Sequence, residues 1–108
     1  MHPEIEKLMS EEQLSNIVVK LLGLYGFKYY YTWQPRQSSN RATQVKDFPD
    51  IVAMKVPRLL VMELKREKGV VAPGQQEWID GIKLCGSPES YVVRPSTLDL
   101  MQEIIENR

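Results

Sequence analysis

Residues 50–65 read DIVAMKVPRLLVMELK, and their pattern decides the architecture. Two aliphatic, β-branched runs, Asp50–Lys55 and Leu59–Lys65, flank Val56-Pro57-Arg58, which predicts a β-hairpin. The second run is apolar on both faces until Glu63 and Lys65. Side chains alternate along a strand, so Glu63 and Lys65 share one face while Leu64 points into the core. A turn centred near Arg58 mirrors position 50 onto about position 66, which brings Asp50 beside Glu63–Lys65. Two carboxylates and one ammonium are therefore expected at one end of a sheet.

That grouping is costly unless it is used. A carboxylate at the edge of a core must be paired or bound to a cation. Two carboxylates a few ångströms apart repel unless a divalent ion sits between them. A lone Glu-x-Lys at a strand end is an ordinary surface ion pair. Pro-Asp thirteen residues earlier, in the partner strand, turns the reading toward chemistry. Mg2+ prefers oxygen ligands and retains water, so Asp50, Glu63 and the backbone carbonyl of Leu64 are candidate ligands. Such a site suits phosphodiester hydrolysis, with Lys65 orienting or deprotonating the attacking water and contacting a phosphate oxygen.

Working outward, apolar residues at Leu14, Ile17, Val18, Leu21, Leu22 and Tyr25 have helical spacing. Ser10 caps this helix, with Gln13 three residues on and Met9 able to staple onto Leu14; Gly26 ends it. An earlier turn of helix can start at Pro3. FKYYYTW, residues 27–33, reads as a strand, and the polar residues 34–47 as a long loop. After the hairpin, Pro73 opens a helix that stops near Cys85-Gly86, with Cys85 expected to be a small buried residue. ESYVVR, residues 89–94, is a fourth strand. Ser96 is expected to cap the last helix, with Asp99 completing a capping box. The order αβββαβα predicts an α/β fold: a mixed four-stranded sheet flanked by helices.

The chain has 108 residues, 43% hydrophobic and 26% charged, which fits one globular domain over 1–108. It contains 14 basic and 14 acidic residues, so charge alone does not tie it to nucleic acid. The distribution is uneven: residues 36–68 carry eight basic and four acidic side chains. Arg36, Arg41, Lys46, Arg66 and Lys68 flank the Asp50–Lys65 hairpin and are candidate phosphate contacts. One histidine and one cysteine exclude a His-based triad in the core, an internal disulfide and a cysteine-rich zinc site. No run is long enough to span a membrane and no signal peptide is visible, so a reducing cytoplasm is expected, with no membrane partner.

Four motifs stand in order: Phe48-Pro49-Asp50-Ile51-Val52; Val61-Met62-Glu63-Leu64-Lys65-Arg66-Glu67-Lys68-Gly69; Pro73-Gly74-Gln75-Gln76-Glu77-Trp78; and Tyr91-Val92-Val93-Arg94-Pro95-Ser96. Together they resemble the VRR-NUC family, the virus-type replication-repair branch of the PD-(D/E)XK nucleases, from about Ser10 to the C-terminus. The resemblance implies a restriction-endonuclease-like fold and a Mg2+-dependent endodeoxyribonuclease, with Mn2+ able to substitute, whose core is Asp50, Glu63 and Lys65. It further implies a glutamate on the first helix, matched by Glu11 with Glu12 as rival, as a metal ligand. Gln75 matches the P-x-Q glutamine, which binds the attacking water or a phosphate, or caps its own helix. Three positions depart from the family pattern: Ser15 stands where many members have glutamine, Tyr31-Thr32-Trp33 where many have a histidine, and Asp47 where a glycine precedes Phe-Pro-Asp.

Standalone members resemble Holliday-junction resolvases of phages or bacteria. The expected partner is thus branched DNA, a four-way junction foremost, and the expected working unit a C2 homodimer. The alternatives are a non-catalytic DNA-binding or assembly module that kept the fold, and a flap or exonuclease subunit of a repair or restriction complex.

Overall fold

A computed structural model of the chain describes residues 1–32 and 47–107. Helix α1 (Pro3–Leu8) precedes α2 (Glu11–Leu24), β1 (Lys28–Tyr31), β2 (Ile51–Lys55), β3 (Arg58–Leu64), α3 (Pro73–Leu84), β4 (Glu89–Val93), a 3-10 turn (Pro95–Thr97) and α4 (Leu98–Glu106). The fold is α/β, and a short leading helix precedes the expected order.

Helix α2 starts where its sequence asks. The Ser10 hydroxyl accepts the Gln13 N–H at 3.0 Å, and the Gln13 amide oxygen accepts the Ser10 N–H at 2.9 Å, a complete capping box. Gly26, at φ 86, supplies the left-handed turn that sends the chain into β1.

The sheet order is β1-β2-β3-β4, with β1–β3 antiparallel and β4 parallel to β3 after the α3 crossover. Leu14, Val18 and Leu22 are fully buried and pack with Ile51, Ala53, Leu60, Met62, Leu64 and Val93. Leu98, Met101 and Ile105 of α4 close the same layer. Each such leucine contributes roughly 1.5–3 kcal/mol by leaving water. Helix α3 lies on the other face, against β3 and β4. It is tied there by buried Ser90, whose hydroxyl donates to the Ile79 carbonyl at 2.6 Å.

Two local expectations are corrected. The last helix begins at Leu98, not after a Ser96 cap; Thr97 occupies the cap position without a side-chain bond. The Thr97 hydroxyl turns back instead to accept the Arg94 N–H at 3.0 Å, because Pro95 starts a tight 3-10 turn that must be closed first. Cys85 is exposed rather than buried, because it lies at the C-terminal end of α3, beyond the part of the helix that packs on the sheet.

Candidate active site

Hairpin register decides which groups meet. Lys55 pairs with Arg58 across a two-residue turn, Val56-Pro57, so the ladder is centred there and not on Arg58. Ile51 faces Met62, and one step outward Asp50 lies opposite Glu63 rather than near position 66. Asp50 and Glu63 thus share the sheet face that α3 covers, since their inner neighbours Val52 and Val61 are paired and alternate with the core residues Ile51 and Met62.

Each carboxylate is held by backbone. Asp50 Oδ2 accepts the Leu64 N–H at 2.8 Å. In an extended residue the C=O points to the same side as the N–H, which turns the Leu64 carbonyl toward Asp50 as well. The Asp50 main chain is pinned from β1: the Thr32 N–H donates to the Asp50 carbonyl at 2.7 Å, and the Thr32 hydroxyl to that of Pro49 at 2.7 Å. Phe48, two residues before, meets Trp78 of α3 edge to face at 4.9 Å, which joins the F-P-D motif to the P-x-Q-x-x-W motif.

Glu63 is 2% exposed. Its Oε2 lies 3.4 Å from Lys65 Nζ, whereas its Oε1 is buried with no hydrogen-bond partner. Burial pushes the Glu63 carboxyl up to about 7; Asp50 and Glu11 push the same way, and Lys65 opposes. The Asp50 carboxyl is also raised, by burial first and then by Glu11, against the Leu64 N–H and Lys65. A buried carboxylate oxygen without a donor is rare and costly. It suits a hard cation better than it suits an ion pair, because Lys65 serves only the other oxygen.

Among the described residues no group of three or more His, Cys, Asp or Glu side chains is gathered in metal-holding geometry. The donors at hand are two carboxylates and a main-chain carbonyl, a set that fits an ion keeping several waters. Glu11 is exposed at the start of α2. Its field nevertheless raises both Asp50 and Glu63, while that of Glu12 acts on Tyr31 and on neither carboxylate.

Gln75 caps its own helix: its amide oxygen accepts the Ala72 N–H at 2.9 Å. Arg66 and Lys68 are exposed on the segment after Lys65. Arg36, Arg41 and Lys46 lie outside the described residues.

Several contacts were not visible in the one-dimensional pattern. Asp47 has φ 68, a left-handed backbone that favours glycine and tolerates aspartate better than most side chains. Its carboxylate lies against Gly74, where a Cβ would collide with it. A side chain at Gly74, two motifs apart, would therefore displace the Asp47 carboxylate from this position. Ser15 and Tyr31 also meet. The Ser15 hydroxyl donates its proton to the Glu12 carbonyl at 2.8 Å and also meets the Tyr31 hydroxyl, an interaction that favours the phenolate. Burial first, then the fields of Asp50, Glu11 and Glu12, hold the Tyr31 hydroxyl above its ordinary range. Neither pairing has a periodicity signal.

Compared with protein-family models, with curated proteins and with solved structures, the chain matches none.

Proposed function

We propose that the chain is a Mg2+-dependent endodeoxyribonuclease of restriction-endonuclease-like fold that hydrolyses phosphodiester bonds in branched DNA, as a Holliday-junction resolvase. The observation that carries this reading is the buried, unpartnered Oε1 of Glu63, opposite Asp50 and beside Lys65, at one end of the sheet. Asp50, Glu63 and the Leu64 carbonyl would hold the cation, with Glu11 contributing from α2. Mg2+ or Mn2+, when bound, supplies positive charge beside the scissile phosphate and makes nearby water more acidic.

The protein's own groups do the rest. The Leu64 N–H fixes Asp50 before substrate arrives, and Thr32 fixes the strand that carries it. Lys65 Nζ keeps its position beside Glu63 Oε2, from which it orients the attacking water and contacts a phosphate oxygen. Arg66 and Lys68, with Arg36, Arg41 and Lys46, supply sequence-independent backbone contacts. One chain holds one such site, and a four-way junction needs two symmetric cuts, so the working unit is a C2 homodimer.

The test is cleavage of matched junction, flap, duplex and single-stranded DNA with Mg2+, Mn2+ or EDTA. Paired nicks in a junction that require a divalent ion, Asp50, Glu63 and Lys65 support the reading. Undiminished cleavage in EDTA or by Glu63→Gln sinks it. Light scattering at micromolar concentration checks the dimer; a monomer whose two nicks arise independently overturns the resolvase assignment.

A further inference from the structure

Between β3 and α3 the chain runs from Lys65 to Ala72 without helix or strand, yet residues 66–69 are tightly held. One nitrogen of Arg94, Nη1, donates to three main-chain carbonyls: Gly69 at 2.7 Å, Arg66 at 2.8 Å and Glu67 at 3.2 Å. Nη1 carries two hydrogens, so at least one is shared between acceptors. A bond returns the other way, from the Ser96 N–H to Glu67 Oε1 at 3.0 Å. The loop closes on itself through the Gly69 N–H and the Arg66 carbonyl at 3.0 Å.

With its carbonyls gathered inward, this loop leaves Arg66 and Lys68 exposed, and among the described residues neither forms an ion pair. Lys65 is anchored separately, its N–H donating to the Val93 carbonyl at 3.0 Å as a continuation of the β3–β4 ladder. We propose that Arg94 is a positioning residue: it holds the loop 66–69 so that Arg66 and Lys68 meet consecutive phosphates of a DNA backbone. This rests on the nuclease reading and adds to it the surface that grips the strand.

The separate anchoring of Lys65 sets the signature. Losing Arg94 raises KM about tenfold while kcat falls less than threefold, because the loop loosens and the strand end does not. Kd for a labelled duplex, measured in EDTA by fluorescence anisotropy, compares wild type, Arg94→Gln, Arg94→Lys, the double variant Arg66→Ala/Lys68→Ala, and the triple variant that adds Arg94→Gln. Arg94→Gln is expected to weaken binding about tenfold. Arg94→Lys restores part of it, since one ammonium nitrogen can donate to three carbonyls. The triple variant binds within twofold of the double, because a positioning residue has nothing left to position. Hydrogen exchange at the Gly69 amide is faster in Arg94→Gln and near wild type in Arg94→Lys. A triple variant much weaker than the double, unchanged Kd in Arg94→Gln, or unchanged Gly69 exchange overturns the proposal. Wild type that cuts with Mg2+ while Arg94→Gln binds as tightly defeats the positioning role alone. Wild type that binds through this loop but never cuts defeats the nuclease reading alone.

Discussion

At the turn end of the sheet, Arg58 donates to both oxygens of Glu89, at 2.8 and 2.9 Å, and through Nη1 to the Asn107 carbonyl of the chain end at 2.7 Å. The Tyr91 hydroxyl adds a bond to Glu89 at 2.6 Å, and the Phe27 ring lies under the guanidinium. At the opposite end of the same strands, Glu63 has one oxygen beside Lys65 and one with no partner. The first end is a completed charge network; the second holds charge that the fold does not neutralise. Their titrations say the same. Arg58 holds the Glu89 carboxyl below its ordinary range, whereas burial lifts that of Glu63 to about 7. The stabilising end and the proposed active end thus differ in which carboxylates lack donors, not in how many charges they carry.

The comparison breaks most decisively at Lys65. Lys65→Ala is expected to slow cleavage with Mg2+ by about 10³-fold and to lower the melting temperature, because buried Glu63 loses the cation beside its Oε2. Single-turnover rates and calorimetry check this; a near-normal rate removes the active end from the comparison.

Next comes the sign of the pH dependence. The folded Glu63 carboxyl binds its proton more tightly than the unfolded one. Its contribution to stability is complete below about pH 4.5 and is lost as pH rises through about 7. In EDTA, Glu63→Gln should therefore match wild type at pH 4 and exceed it at pH 8 by up to about 3 kcal/mol. Urea melts across that range measure it, and an advantage at pH 4 that vanishes at pH 8 reverses the assignment. Mg2+ should restore the wild type at pH 8.

Glu89 has the opposite slope. Its lowered carboxyl contributes stability above the unfolded value near pH 4.5, and that contribution is lost as pH falls. Arg58→Met should cost about 2 kcal/mol at pH 7, a figure that allows for the partial exposure of both partners. The loss should shrink in acid; a loss independent of pH would make packing on Phe27, not the ion pair, the larger part.

The smallest effect sharpens the proposed active end. Glu11→Gln should lower cleavage about tenfold and shift the Glu63 titration downward, while Glu12→Gln changes cleavage less than twofold. Carboxyl NMR titrations and rates measure both. Equal effects would place the α2 register one residue off.

Much of the candidate site was legible before any coordinates. Asp50, Glu63 and Lys65 stand out because charge interrupts an apolar hairpin, and strand alternation puts Glu63 and Lys65 on one face. The exact opposition of Asp50 to Glu63 was not legible, since it depends on a two-residue turn at Val56-Pro57 and a single step of register turns every side chain over. Gln75 admitted two roles from its position, and its side chain takes the capping one in the structure.

By itself, then, the amino-acid order determined the helices, the strands, the mixed sheet and the cluster of charge at one strand end. Those follow from periodicity, caps and turn residues within a few neighbours of one another. Only the tertiary structure decided that Glu63 Oε1 lacks a donor, that Asp47 leans on Gly74, that Tyr31 meets Ser15, and that Arg94 grips the loop after Lys65. Each joins residues from separate elements, and whether a buried oxygen finds a donor depends on how those elements pack, which no local spacing records.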